Sequence, residues 1–197
     1  MYNNIKNYRL KGGLYLKLTT RDLIITALFT SLTAVGAFIS VPLGPIPVTL
    51  QTIFVVLSGI ILGARLGALS QITYIILGLI GLPIFSGGTG GLTSIVSPTF
   101  GFLLSFIVAA YVIGKLTEKN KSIFKITYSV FIGSLIIYVI GVPYFYFIFT
   151  HYLGKSINFY EALKFACLPF IPGDIIKAII AITLAKQLIP RLSKYLN

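Results

Sequence analysis

The stretch FIPGDIIKAIIAI, residues 170–182, decides how the whole chain is read. It is apolar enough for lipid, yet it carries an aspartate, Asp174, and a lysine, Lys177, three residues apart. A charge near the centre of a bilayer costs about 2.5 to 3.5 kcal/mol on insertion scales, less toward the interface, so a segment that keeps two of them does so for a reason. At this spacing both side chains lie on one face of a helix and can pair. Asp174 also follows Pro172 and Gly173, a position from which a carboxylate can cap a helix. The alternative is a ligand site, in which the carboxylate accepts N–H bonds from a bound molecule while Lys177 and the helix N-terminus face a ligand anion or the carboxylate itself. The sequence leaves both roles open, and they are compatible.

Outside that stretch the composition is that of a membrane protein. Of 197 residues, 56% are hydrophobic and 10% charged, and the mean hydropathy is +0.95, far from soluble averages. No charge occurs in residues 23–64, 66–114 or 126–154. Since a crossing helix needs about 20 apolar residues, the first two gaps hold two spans each and the third holds one. A last span, residues 170–189, brings the expectation to six transmembrane helices in an all-α fold. Proline and glycine mark the breaks: VPLGPIPV (41–48) between spans one and two, and FSGGTGGLTSIVSP (85–98) between three and four. Ala64 and Arg65 turn span two into three, and LTEKNKSIFK (116–125) turns four into five. The connector at 151–169, partly apolar, fits a short interfacial helix. The expected organisation is a basic segment at 1–21, a membrane domain at 22–189 and a tail at 190–197.

Basic residues orient such a chain, because Lys and Arg accumulate on the cytoplasmic side. Lys6, Arg9, Lys11, Lys17, Arg21, Arg65, Lys115, Lys119, Lys121, Lys125, Lys186, Arg191 and Lys194 fall on one side, against Lys155 and Lys164 on the other. Both termini are therefore expected in the cytoplasm, at the cell membrane, and the net charge of +12 is mostly a topology signal with some attraction to anionic lipid. Nucleic-acid binding is a poor explanation, since no soluble domain presents a basic face. The start of the chain shows no apolar stretch before a small-residue cleavage site, so no removable signal peptide is expected.

With this topology, VPLGPIPVTLQT, FSGGTGG and PFIPGDIIK all fall at outer ends of spans and can converge on one pocket. Irregular backbone at membrane depth survives only where protein buries it or a cavity receives it. Gly87, Gly88, Gly90 and Gly91, around Thr89, can bring amide donors close to a ligand, although a flexible turn is the plainer reading. No Gly-Lys-Ser/Thr follows, which excludes a phosphate loop. Gln51, just inside span two, can bond a neighbouring helix or a ligand. Tyr74, Gln71 and Tyr111 are expected in interhelical packing. Small residues spaced by four, Ala27 with Ser31 and Thr30 with Ala34, allow another helix to approach span one, from within the chain or from a partner.

Taken together, PVTLQT, GARLGALSQITYIILGLIGLPIFSGGTGG, SPTFGFLLSF and PFIPGDIIKAIIA resemble the BioY family, the biotin-binding S components of energy-coupling factor (ECF) vitamin transporters. The resemblance runs from Thr20 to Leu188, and it is specific where PxTLQ, LGLPxFxGGxGG and IPGDxxK occur together. It implies a six-helix S-component fold that captures biotin outside and delivers it inward when docked on a transmembrane T subunit and two ATP-binding-cassette ATPase subunits. Asp174 and Lys177 then match the polar end of the biotin site. Thr89 stands where relatives often have Asn, and Phe102 where Tyr is common. Biotin offers two ureido N–H donors, one carbonyl, an apolar ring and chain, and a carboxylate. Asp174 suits the ureido N–H groups, Gln51 or the glycine amides suit the carbonyl, and Phe85, Phe100 and Phe102 suit the apolar body. Nanomolar binding, ~12 kcal/mol, requires near-complete enclosure of so small a ligand, so the connector between spans one and two is expected to close over it. The resemblance also implies docking of the T subunit at Ala27 and Ser31.

The sequence shows no Walker motif, no HExxH, no paired catalytic carboxylates and no metal-ligand spacing, so neither a metal site nor a cofactor other than transported biotin is expected. The single Cys167 cannot form an internal disulfide, and the single His151 reads as a solvated rim residue. An intramembrane enzyme lacks a nucleophile and base here. An ion-coupled carrier usually shows inverted repeats, which this chain does not.

Overall fold

A computed structural model describes residues 18–43 and 46–196, without the side chains of Leu43 and of residues 192–196. Most of the 1–21 segment, including Lys6, Arg9, Lys11 and Lys17, lies outside the described residues. The order of elements is α1 (Thr20–Phe38), β1 (Ser40–Leu43), β2 (Ile46–Thr49), α2 (Gln51–Leu79), a 3-10 turn (Leu92–Val96), α3 (Phe100–Thr117), α4 (Ile123–Phe147), α5 (Phe159–Ala166) and α6 (Ile171–Leu196).

The helices begin where their sequences supply caps. Thr19 and Asp22 form a reciprocal capping box on α1, Asn158 and Glu161 do the same on α5, and Ser122 accepts from the Lys125 amide on α4. Among the described residues, four helices are long and apolar enough to cross a membrane: α1, α2, α3 and α4 with its π-type continuation to Tyr152. The pair α5–α6, bent by 48°, counts as a fifth. The chain is therefore an all-helical, multi-pass membrane protein in its main architecture.

Within α2 the helix reverses at Gly63, whose φ of 80° and ψ of −179° belong to backbone that only glycine adopts readily. The side-chain contacts prove the fold-back. Gln51 bonds Tyr74, Gln71 bonds Ser58, and a Cβ at Gly67 would lie 3.0 Å from the Ser58 carbonyl oxygen. These pairs nest around residue 63, so the legs 51–62 and 64–79 run side by side in opposite directions. The turn falls one residue before the expected Ala64–Arg65 and needs no loop.

The connector after α1 departs from the all-helical expectation. Strands β1 and β2 form an antiparallel ribbon, with Ser40 opposite Thr49 and Val41 opposite Val48. The β-branched residues favour an extended backbone, and the prolines, which cannot donate, face each other at Pro42 and Pro47. The connector at 151–169 does contain a short helix, α5. At the other end, α6 continues to Leu196.

Three buried clusters hold the bundle. One joins Phe29 of α1, Ile53, Val56 and Ile60 of α2, Ile113 of α3, and Ala181 and Ala185 of α6. A second gathers Val55, Tyr74, Phe85, Phe100, Phe106 and Ile137 from α2, the glycine loop, α3 and α4. The third packs Ile46 of the ribbon against Val142 and Phe145 of α4, Ala162 and Ala166 of α5, and Phe170. Lipid tails are as apolar as these side chains, so close fit and internal polar bonds, more than water exclusion, hold such helices together. A polar seam supplies them between α1 and α2: Thr30 donates to the Ser70 carbonyl at 2.9 Å, and Gln71 Nε2 reaches Thr33, Ser58 and Ser70. Gln71 and Tyr74 are thus interhelical as expected, whereas Tyr111 is 46% exposed on α3.

Candidate functional site

Asp174 and Lys177 enter the site from the first turns of α6. Lys177 Nζ lies 2.5 Å from Asp174 Oδ1 and donates to the main-chain oxygen of Thr49, the last residue of β2, at 3.2 Å. The other carboxylate oxygen accepts the hydroxyl of Tyr138 from α4. The lysine is only 7% exposed. An ammonium so enclosed needs an opposite charge, and the aspartate supplies it. The cluster thus fastens the ribbon, α4 and α6 to one point, and the carboxylate turns to Lys177 and Tyr138, not to the first amides of its own helix.

Next to the cluster opens a cavity with about 760 Å³ of space between its walls, the solvent-filled mouth included. Its walls come from the three segments that the sequence singles out. Ile46, Pro47 and Thr49 of the ribbon, with Gln51 and Thr52 of α2, form one side. Phe85, Ser86 and Thr89 of the glycine loop form another. Phe170, Asp174 and Lys177 contribute a third, and α3 and α4 add Phe102, Phe106, Ile137 and Tyr138. The second and third hydrophobic clusters flank this space, so it is apolar over most of its wall and ionic at one point. A smaller cavity of about 340 Å³, measured likewise, shares Thr52, Tyr138, Asp174 and Lys177 with it and continues to Val56, Val130 and Ser134.

The expected residues divide clearly. Asp174, Lys177, Gln51, Thr89, Phe85 and Phe102 all line the cavity. Gln51 is nevertheless committed to the protein: its Nε2 donates to Tyr74 Oη at 2.7 Å, its Oε1 accepts from Thr49 Oγ1 at 3.0 Å, and Tyr74 passes its own proton to the Ile84 carbonyl at 2.9 Å. Gly87, Gly88, Gly90 and Gly91 are not among the lining residues and instead shape the loop. Gly87 and Gly88 have φ of 77° and 70°, and a Cβ at Gly90 would fall 2.2 Å from the Leu82 carbonyl oxygen. Two amides are used within the turn, Gly88 to Phe85 at 3.0 Å and Gly91 to Gly78 at 2.7 Å. The result presents Phe85, Ser86 and Thr89 inward. Phe100 lies outside the cavity, in the core beside Tyr144. Sequence reasoning did not find Tyr138, Thr52 or Ser86.

Ala27 and Ser31 are exposed on α1, on the face opposite the buried Phe29 and Thr33, and the Ser31 hydroxyl folds back on the Ala27 carbonyl at 2.9 Å. Thr30 of the second pair is buried and bonded inside the chain. His151 is exposed and stacks on Phe147. Among the described residues no His, Cys, Asp and Glu side chains group to hold a metal.

A cavity with aromatic walls and one ionic cluster, set among helices suited to lipid, defines a multi-pass membrane protein with a pocket open to a small molecule. Residues 8–194 match the model of the BioY family, and the chain belongs to that family. It is 42% identical over 168 residues to the biotin transporter BioY of Thermotoga maritima, covering 85% of this chain and 95% of that one. It is 39% identical to the probable biotin transporter BioY of Pyrococcus horikoshii, covering 85% and 96%. Its fold is similar to a crystal structure of the S-component for biotin from an ECF-type ABC transporter, with a TM-score of 0.77 at 27% identity, covering 87% of this chain and 94% of that one. These relatives are named as transporters and not as enzymes.

Proposed function

We propose that the chain captures biotin as the S component of an ECF-type transporter, delivering it across the cell membrane with a T subunit and two ATPase subunits. The observation that carries this reading is the cavity closed by the Asp174–Lys177–Tyr138 cluster in a chain whose relatives are named for biotin. Asp174 suits the ureido N–H donors, and Lys177 either meets the ligand carboxylate or stays paired with Asp174. Phe85, Phe102 and Phe106 suit the apolar ring and chain. The β1–β2 ribbon, which lends Ile46, Pro47 and Thr49 to the wall, acts as the cover. The two legs of α2 serve as spans two and three, giving six spans with both termini in the cytoplasm. Ala27 and Ser31, exposed and small, offer the T subunit its approach.

Biotin titrated calorimetrically into the purified chain in detergent tests this reading. The expected result is tight binding that Asp174→Asn weakens by about 10-fold or more, the low end for a charge-assisted hydrogen bond of ~1.5 kcal/mol. A folded protein that gives no heat with biotin overturns it.

A further inference from the structure

Among the described residues, four buried side-chain polar atoms have no hydrogen-bond partner: Thr26 Oγ1, Thr52 Oγ1, Gln71 Oε1 and Ser86 Oγ. Thr26 and Gln71 belong to the seam between α1 and α2. Thr52 and Ser86 both line the cavity beside the ion pair, from different segments of the wall. The reason for the lone hydroxyl of Thr52 is local. Helical threonines here usually return their proton to the carbonyl four residues back, as Thr33 does to Phe29 and Thr117 to Ile113. Thr52 is the second residue of α2, and four residues before it the chain is still in β2, so that helical acceptor does not exist.

Apart from Ser94, which is only half-buried, the other polar groups of the wall have partners. Asp174 and Lys177 hold each other, Gln51 holds Tyr74, Thr89 donates to the Ser86 carbonyl at 3.2 Å, and Ser97 pairs with Thr99 at 2.8 Å. A buried polar atom left unpaired is destabilising, and one that lines a cavity can be completed by a molecule bound there. We propose that Thr52 and Ser86 are ligand-reading residues, each hydroxyl completed by a hydrogen bond to the bound molecule. Thr52 also borders the smaller cavity with Asp174, Lys177 and Tyr138, so it reads the part of the ligand nearest the ion pair. Ser86 reads from the glycine loop. A hydroxyl both donates and accepts, which fits a cyclic urea that presents N–H and C=O together, or a carboxylate. The inference rests on the reading of this cavity as the biotin site.

The test compares the full-length chain with Thr52→Val and Ser86→Ala, in detergent, by biotin calorimetry and by thermal unfolding without biotin. Each variant is expected to bind biotin about 3- to 10-fold more weakly, the range of a single neutral hydrogen bond. Each is also expected to unfold, without biotin, at the same temperature as the unaltered chain or higher, because an unpaired group has been removed. Unchanged affinity in both variants overturns the proposal. So does weaker binding accompanied by a fall of several degrees in the ligand-free unfolding temperature, which marks the hydroxyls as structural. If the unaltered chain does not bind biotin, the biotin reading and this inference fall together; if it binds and neither variant weakens it, only this inference falls.

Discussion

At the scale of single residues, the site is an exchange of partners inside the protein. Asp174→Asn leaves the Lys177 ammonium, 7% exposed, without an opposite charge, facing only neutral acceptors such as the Thr49 carbonyl, whereas Lys177→Met leaves Asp174 with the Tyr138 hydroxyl. The aspartate variant should therefore be the less stable of the two, by about 1–2 kcal/mol, as read from thermal unfolding in detergent without ligand. Tyr74→Phe strands both Gln51 Nε2 and the Ile84 carbonyl and should cost about 2 kcal/mol by the same measurement. Gln51→Leu leaves Tyr74 bonded to Ile84, so its loss should be nearer 1 kcal/mol. Asp174 and Lys177 were legible in the sequence because charge stands out in an apolar segment. Tyr138 was not: it is one aromatic among several in IIYVIGVPYFYF, and only the rotation of α4 selects the ring that meets Asp174. Gln51 was legible as a polar anomaly but not as a committed one, since its partner Tyr74 lies across a fold-back whose register the sequence does not print.

At the scale of elements, charge gaps and Pro/Gly breaks located the helices because lipid imposes length and apolarity on them. The ribbon at 40–49 was harder, since VPLGPIPV signals a connection without saying that its two halves pair. The reversal in α2 was placed at Ala64–Arg65, where the charge is, while the backbone turns at Gly63, where the conformation is possible. A side chain at that φ and ψ is strained whatever the space around it, and a Cβ there meets nothing within 4 Å. Gly63→Ala should therefore destabilise the chain by about 1–3 kcal/mol through backbone strain alone, visible as a lower unfolding temperature with biotin affinity unchanged in the folded fraction.

At the scale of the whole molecule, the ribbon, the glycine loop and the start of α6 meet around one space although more than a hundred residues separate Thr49 from Lys177. Their convergence was legible because all three fall at the same ends of successive helices. On the opposite side of α1, Ala27 and Ser31 are turned outward, away from the chain's own core. Ala27→Trp or Ser31→Trp should accordingly leave biotin binding and unfolding temperature unchanged, and should abolish co-purification with a T subunit and ATPases. Loss of biotin binding together with assembly would place this face in folding instead.

The reversal at Gly63 also bears on how the chain enters a bilayer during synthesis. Leg 51–62 rises about 18 Å, well short of the ~30 Å hydrocarbon thickness, and could not settle as a lone crossing. Its buried Gln51 Nε2 meets Tyr74, and its Ser58 hydroxyl receives Gln71, only when leg 64–79 lies alongside. The two legs are thus a single unit of insertion, and a nascent chain halted before residue 79 should remain extractable from membranes by alkaline carbonate unless α1 alone retains it.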